Sequence, residues 1–385
     1  MPVSSPSSFS SSSRRRVAVV GGGVLGVSTA AQLARRGAEV VLVTDSDLAS
    51  GASGRSLSWL NSFGGPGVRS AAYHDLRMLG LDRYRTFAHR VPSSSPYLRF
   101  HGGLTWAPSG DAEPHRSAFA HMRRCGYDAV WLNRDEVADW TPGVDPAAVP
   151  DEGAIFNPGE GWVDLAALVR QLAADLTGAG GRIVTGAGAA SVVVEGGRAR
   201  AVRTGSGERI DVDAVLLATG AAVPRTVQEY GVVIPDATPV ALLVRTPPVD
   251  TALRAVLNTP GVAVRPAPDG SLVMDSDAAA DEVVVHPDGS YEVKDATVEQ
   301  LLREASAVLE GNPVLTAASY GVGPKPIPGD GEPVFGELDE VPGLFVAFTH
   351  SGATLALIAG ELLADEIVTG EPSPLLAAFR PGRFG

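Results

Sequence analysis

The chain has 385 residues, 44% of them hydrophobic, and a formal net charge of −13. The length suggests two domains with ample core, and the composition is that of a globular protein. The negative charge disfavours nucleic acid and anionic membranes as partners, and no segment predicts a membrane span. The single cysteine, Cys125, excludes internal disulfides and cysteine–metal clusters and fits a reducing, cytoplasmic environment.

A glycine-rich segment lies close to the N-terminus, after residues 1–13, a serine-rich stretch expected to be a disordered tail. Residues 17–20 (VAVV) predict a buried parallel strand, and Gly21, Gly23 and Gly26 then form G-x-G-x-x-G. A helix up to residue 36 and a strand over 39–43 complete a β-α-β unit, the context that makes this glycine pattern specific for dinucleotides. Gly21 permits a tight turn, Gly23 lets backbone approach a pyrophosphate, and Gly26 lets the helix pack closely.

The second strand of this unit lacks the acidic residue that is expected to bind the adenosine ribose. Thr44 occupies the position, and the acid comes one residue later, at Asp45. Because successive side chains of a strand point to opposite faces, a shift of one residue turns the carboxylate away unless the strand end bends. Either Asp45 or the Thr44 hydroxyl therefore binds the ribose.

The remaining chain alternates between an α/β pattern and short antiparallel strands. The pattern predicts a discontinuous cofactor-binding domain over residues 14–90, 150–236 and 311–385, and a substrate domain over 91–149 and 237–310. Helices are predicted over 70–89, 165–176, 296–310 and 355–368. An antiparallel sheet is predicted from strands over 239–245, 261–265, 271–274 and 282–286, with Pro-Asp-Gly turns at 268–270 and 287–289.

The order of these signals resembles the D-amino-acid oxidase and glycine/sarcosine oxidase family of FAD enzymes. The resemblance rests on the G-x-G-x-x-G unit, residues 51–55 (GASGR), a strand ending in 218–220 (ATG), and a C-terminal block. The block reads KPIPGDGEPVFG over 325–336 and GLFVAFTHSGATL over 343–355. The family form is R-P-x-x-x-D-G-x-P-x-x-G, then a strand and a His-Ser-Gly turn into the last helix.

The resemblance implies an α/β fold of the p-hydroxybenzoate-hydroxylase type, in which a Rossmann-like FAD-binding domain carries an antiparallel-sheet substrate domain. It implies extended, non-covalently bound FAD, with the last helix directing its N-terminus at the flavin. No metal is predicted, because the histidines lack metal-ligand spacing. The residues implied in FAD binding are Gly21, Gly23, Val24, Leu25, Gly26, Thr44, Asp45, Gly51, Ala52, Ser53, Arg55, Ser56, Ala218, Thr219, Gly220, Asp330, Gly331, His350, Ser351, Gly352, Ala353 and Thr354.

The family's chemistry is hydride removal from a carbon that bears an amine, giving an imine. Candidate catalytic residues are Lys325, His350, Tyr320 and Tyr73. Lys325 stands where amino-acid-oxidising members commonly place an arginine that binds the substrate carboxylate. A lysine cannot form the bidentate contact of an arginine but still provides a positive charge. Lys325 is therefore a carboxylate ligand, an electrostatic partner for flavin or oxygen, or a solvated surface lysine.

The expected partners are a small amine or amino acid and an electron acceptor, with a homo-oligomer as a further expectation. A loose match places Val273 where some sarcosine-oxidising members carry a lysine that promotes reaction with oxygen, so the acceptor is oxygen or another molecule. Two alternative functions stay open. One is C–O or C–C oxidation or hydroxylation of a specialised metabolite on the same fold, and the other is a non-catalytic nucleotide-binding subunit. An enzyme using only NAD(P) fits the first motif but not the C-terminal block.

Overall fold

The computed structural model describes residues 14–63, 69–94 and 96–385, so the expected tail over 1–13 lies outside the described residues. The strands are β1 (Arg16–Val20), β2 (Glu39–Val43), β3 (Trp59–Leu60), β4 (Leu98–Arg99), β5 (Gly103–Thr105), β6 (Val130–Leu132), β7 (Ala154–Asn157), β8 (Gly161–Val163), β9 (Arg182–Val184), β10 (Ser191–Glu195), β11 (Arg198–Arg203), β12 (Arg209–Asp211), β13 (Ala214–Leu217), β14 (Val240–Pro248), β15 (Val256–Asn258), β16 (Ala263–Pro266), β17 (Ser271–Asp275), β18 (Val284–Val285), β19 (Tyr291–Glu292), β20 (Ser319–Pro324), β21 (Val334–Glu337) and β22 (Leu344–Phe348). The α-helices are α1 (Val24–Arg35), α2 (Ala71–Phe87), α3 (Glu113–Arg124), α4 (Arg134–Trp140), α5 (Leu165–Gly178), α6 (Val223–Gln228), α7 (Asp277–Asp281), α8 (Asp295–Ala307) and α9 (Gly352–Thr369).

The first layer is a mixed sheet with the order β21-β22-β13-β1-β2-β9. Its neighbours pair in parallel except β21, which is antiparallel to β22. The central strands are apolar throughout, as in β13 (AVLL), because both faces of this sheet are covered. Helices α1, α5 and α9 cover one face, with α2 packed against α9, and the antiparallel β10-β11-β12 sheet packs over the other. This arrangement confirms the α/β fold with a Rossmann-like domain.

The second layer is a larger mixed sheet with the order β20-β14-β17-β16-β15-β5-β7-β6. Its pairs are antiparallel apart from β15 and β5. Helix α8 packs on one face, where it shares a core with Leu242, Val244 and Met274. Strand pairing brings β7 and β20 into this sheet, although the expected division places both in the cofactor-binding domain.

Several local predictions differ from the structure. The strand predicted over 282–286 does not join the large sheet, because β18 pairs with β19 in a separate hairpin around Gly289. Helix α3 is missing from the predictions because it is polar on nearly every side and buries only Met122. Helix α7 is too short to show helical periodicity. Within the described residues, no helix is long and apolar enough to cross a membrane.

Candidate functional site

The predicted motifs meet at one edge of the first sheet. Strands β1, β2, β13 and β22 are parallel, so their carboxyl ends lie together. The residues that directly follow these four strand ends are Gly21, Thr44, Ala218 and Thr349. Ligands of open α/β sheets bind outside this edge, so the topology brings the separate motifs of the sequence to one place.

The glycine loop has the geometry that its sequence predicts. Gly21 has a φ of +119°, and its N–H donates to the Val43 carbonyl at 2.8 Å. A Cβ added at Gly21 would lie 2.3 Å from the Ala218 carbonyl oxygen, and one at Gly26 would lie 2.1 Å from the Gly21 carbonyl oxygen. No side chain fits at either position, so these glycines permit the tight turn and the close approach of α1.

The loop leaves polar groups that suit a phosphate-bearing ligand. Gly23 precedes α1 without a capping side chain, and the Val24 N–H donates to Ser53 Oγ at 3.0 Å. Thr219 Oγ1, beyond the end of β13, is buried and has no hydrogen-bond partner in the described chain. A Cβ at Gly51 would meet no atom within 4 Å. An orphaned hydroxyl, a helix N-terminus and open space beside it fit the phosphate and sugar groups of FAD.

The two ribose candidates differ in their surroundings. Thr44 is buried, and a Cβ added at Gly22 would lie 2.9 Å from Thr44 Oγ1, so this side chain faces the glycine loop. Asp45 is exposed, and its carboxylate accepts a hydrogen bond from Ser46 at 2.9 Å. Thr44 therefore faces the glycine loop, whereas Asp45 faces solvent.

A second helix N-terminus lies close to the first. A Cβ at Gly352, the first residue of α9, would lie 3.8 Å from Val24 Cγ1 of α1. Tyr73 Oη and Ser351 Oγ are 2.6 Å apart, and Tyr73 is fully buried, so α2 holds the turn that leads into α9. Thr354 Oγ1 bridges to the backbone of β3. These contacts keep the N-terminal end of α9 in place.

A cleft of about 320 Å³ opens between the large sheet and this end of α9. His350 and Gly331 lie on the side of the first sheet, together with Arg69, which precedes α2. The large sheet and α7 provide the opposite wall. Its lining residues are Pro239, Val240, Ala241, Leu242, Asp275, Ser276, Asp277, Ala280, Asp281, Lys325 and Ile327.

The cleft contains charges of both signs. Lys325 Nζ lies 3.7 Å from Asp277 Oδ1. Burial raises the pKa of Asp275 to about 6, against the opposing effects of Lys325 and Arg265, with Asp277 adding to the rise. Burial lowers the pKa of His350 to about 4, and the charges of Lys325, Arg77 and Arg69 lower it further. His350 is therefore a neutral imidazole at pH 7.

The structure separates the four candidate catalytic residues. Lys325 and His350 face the cleft, whereas among the described residues the lining includes neither Tyr73 nor Tyr320. Tyr320 lies opposite Val244 of β14 in register, on the face of β20 directed at the α8 core, and is 52% exposed. Asp330 forms an ion pair with Arg383, at 2.9 Å between Nε and Oδ2.

Arg55 connects the cofactor edge to the large sheet. Its guanidinium donates to the Ser50 carbonyl at 2.6 Å, and its side chain covers Gly321 and Gly323 of β20. A Cβ at either glycine would lie 2.8 Å from an Arg55 atom. The face of β20 that carries these glycines therefore looks toward the cofactor-binding layer.

Sequence reasoning missed three ionisable residues near the site. Asp275 is the last residue of β17, after a run of apolar residues. Arg69 follows a glycine-rich segment that has no helix or strand periodicity. Glu160 is buried outside the cleft lining given by the described residues, where Tyr127 Oη donates to it at 2.6 Å and Trp59 Nε1 at 2.8 Å. An acid at the end of an otherwise apolar strand was a usable signal for Asp275 alone.

Comparison with known proteins identifies the family of this chain. The family model for the DAO family, described as FAD dependent oxidoreductase, matches residues 16–366. One of the subunits of opine oxidase from Agrobacterium tumefaciens is 24% identical over 95% of this chain and 96% of its own length. Glycine oxidase from Geobacillus kaustophilus has 22% identity and a TM-score of 0.81, covering 95% of this chain and 98% of that one. Iminodiacetate oxidase from Chelativorans sp. has 21% identity and a TM-score of 0.78, covering 95% and 99%.

Proposed function

The chain belongs to the DAO family of FAD-dependent oxidoreductases, and we propose that it oxidises a C–N bond of an amino acid or a related amine to an imine. One observation carries this proposal. The cleft beside the N-terminal end of α9 contains two cations, Lys325 and Arg69, together with the neutral imidazole of His350. Cations fit the carboxylate of an amino acid, and a neutral imidazole provides a hydrogen-bonding group without an added charge.

The cofactor is FAD, and its proposed binding residues are those that meet at the carboxyl edge of the first sheet. Gly21–Gly26 and the N-terminus of α1 would hold the pyrophosphate, with Ser53 and Thr219 as hydroxyl ligands. Thr44 would contact the ribose, because it faces the glycine loop whereas Asp45 faces solvent. The N-terminal end of α9 would stabilise negative charge on the flavin. Bound FAD supplies the acceptor for the hydride that leaves the substrate carbon.

The substrate is placed by groups of this chain on both sides of the cleft. Lys325 would bind the substrate carboxylate as a point charge, and Arg69, which precedes α2, faces the same space. Binding of the carboxylate fixes the position of the carbon that is to be oxidised. Such orientation of the substrate is a large part of the protein's contribution to the rate of a flavin-dependent oxidation. His350, neutral above pH 5, would orient the substrate through a hydrogen bond.

The relatives support an amine as the substrate class. Glycine and iminodiacetate, after which two of these structurally similar oxidases are named, are a primary and a secondary amine, and both contain carboxylate groups. Both names describe oxidases, yet a loose sequence match places the buried Val273 where some sarcosine-oxidising members carry a lysine for reaction with oxygen. The final acceptor is oxygen or another molecule, and reduction of an artificial acceptor detects turnover with either.

Turnover with an artificial acceptor dye tests the proposal. The holoenzyme is mixed with amino acids, N-alkylated amino acids including iminodiacetate, and the matching 2-hydroxy acids. We expect dye reduction with an amine and a carbonyl product in equal amount after imine hydrolysis. Turnover of hydroxy acids without turnover of amines would assign the enzyme to C–O oxidation instead.

A further inference from the structure

The wall of the cleft opposite His350 carries a carboxylate that the proposed function has not used. Asp275 is the last residue of β17 and lines the cleft. It pairs in register with Leu243 of β14, which pairs in turn with Gly321 of β20. Residues in register across neighbouring strands share a face, so Asp275 lies on the face that Arg55 covers at Gly321. That face looks toward the cofactor-binding layer.

The Asp275 carboxylate is open to a ligand. It has no hydrogen bond and no ion pair within 4 Å to any residue that the structure describes, whereas Asp277, two residues on, pairs with Lys325. The alternate residues of β17 point the other way, since Met274 is buried in the core beneath α8. Burying an ionised carboxylate without a partner costs free energy, so a ligand in the cleft that pairs with Asp275 would reduce this cost.

Resting on the proposed function, we infer that Asp275 binds the ammonium group of the substrate and removes its proton before oxidation. The nitrogen–hydrogen bond breaks, the proton moves to an Asp275 carboxylate oxygen, and the electron pair stays on nitrogen. With FAD bound as hydride acceptor, the substrate carbon would lose its hydrogen with both electrons of the carbon–hydrogen bond, and the electron pair on nitrogen would form the C=N bond of an iminium. Loss of a further proton yields the imine, so atoms and electrons balance.

The surrounding charges favour Asp275 over His350 for this role. Both groups are unprotonated at pH 7, but a base is more effective when its pKa lies nearer the working pH, and the pKa is about 6 for Asp275 and about 4 for His350. The charges of Lys325, directly after β20, of Arg265 on β16 and of Asp277 on α7 act on Asp275. Arg69 and His350 face the cleft from the other layer. The cations also favour the neutral form of a bound amine.

Two matched probes test the ammonium contact without turnover. 2-Methylalanine has an ammonium group and no hydrogen on the carbon that bears it, so it cannot be oxidised there; 2,2-dimethylpropanoate has a methyl group in place of the ammonium. Binding of each to the holoenzyme is measured from the flavin absorbance change between pH 5 and 8. We expect the wild type to prefer 2-methylalanine about tenfold or more, because a hydrogen bond to a charged group is gained. The preference should fade as pH falls below about 6.

Variants assign the effect to one residue. Asp275→Asn should abolish the preference and its pH dependence, and Asp275→Glu should restore part of both. Asp250→Asn, which makes the same charge change at an exposed position after β14, should leave both unchanged. Retained flavin and an unchanged circular dichroism spectrum establish that each variant is folded.

The outcomes separate this inference from the proposed function. If the wild type shows no preference for 2-methylalanine, or Asp275→Asn retains it, the role of Asp275 is wrong, even where an amine still reduces the enzyme. The rate of flavin reduction by such an amine should decline below pH 6 in the wild type, and Asp275→Asn should lose this decline. An identical pH profile in both proteins would overturn the base role.

Discussion

Lys325 is the residue whose substitution tests carboxylate binding most simply. Its side chain is 31% exposed, so its charge acts in a partly desolvated cleft. We expect Lys325→Met to weaken binding of 2,2-dimethylpropanoate by about 1.5–3 kcal/mol, or about 10- to 150-fold, because the carboxylate loses a charged partner. The dissociation constant comes from the flavin absorbance change.

The chain offers a matched control for this substitution. Lys294 is the only other lysine and precedes α8, outside the cleft lining given by the described residues. Lys294→Met should leave binding unchanged, and Lys325→Arg should retain most of it. Equal affinity in the wild type and in Lys325→Met would refute the carboxylate role of Lys325.

Glu160 makes the free energy of unfolding depend on pH. Burial raises its pKa to about 8, against hydrogen bonds from Tyr127 and Trp59 that lower it. The folded state therefore holds this proton more tightly than the unfolded state, whose carboxyl has an ordinary pKa near 4.5. The contribution to stability is complete below about pH 4.5 and is lost as pH rises to about 8.

Glu160→Gln should remove this contribution to the pH dependence. An amide stays neutral and still accepts a hydrogen bond from Trp59. Urea unfolding at pH 5 and pH 8 measures the free energy of unfolding. We expect the wild type to lose more of this free energy between pH 5 and pH 8 than the variant does. The same difference in both proteins would show that Glu160 is ionised in the folded state.

At the level of elements, close packing of α9 against its neighbours depends on glycine. A Cβ at Gly80 of α2 would lie 2.3 Å from the Thr354 carbonyl oxygen in the first turn of α9. We expect Gly80→Ala to destabilise the fold by roughly 1–3 kcal/mol and to lower FAD retention, because the backbone of α9 must shift. Thermal unfolding and the ratio of flavin to protein absorbance measure both effects.

Gly178→Ala is the matched control for this change. Gly178 is the last residue of α5, and an added Cβ meets no atom within 4 Å. The control should be neutral or stabilise the protein by up to roughly 1 kcal/mol, because alanine is the better helix former. Comparable destabilisation by both substitutions would contradict the packing argument at α2 and α9.

Elements governed by local pattern were predictable from the sequence. Apolar periodicity and glycine positions predict the β1-α1-β2 unit, α5, α9 and the turn at Gly270, and the structure contains all of them. The Arg69 and Glu160 side chains are instead placed by contacts between distant segments, as in the Trp59–Glu160 hydrogen bond. Such contacts depend on how two layers pack, which no local pattern records.

At the level of the whole molecule, the site exists only because two layers face each other. The first sheet and α9 present the glycine loop, the orphaned Thr219 hydroxyl and His350. The large sheet presents Asp275 at the end of β17 and Lys325 directly after β20, on either side of β14. Oxidation of a bound amine by FAD requires both a cofactor site and charged groups that orient the substrate, and the two layers each provide one of them.

Anaerobic reduction of the bound flavin tests this account most directly. The purified holoenzyme is first shown to release FAD in acid, and its visible spectrum is then followed without oxygen during addition of amines and of 2-hydroxy acids of the same carbon skeleton. The account predicts loss of the oxidised-flavin absorbance with an amine and none with its hydroxy counterpart. A protein that neither carries nor takes up FAD, or one bleached only by hydroxy acids, would contradict it.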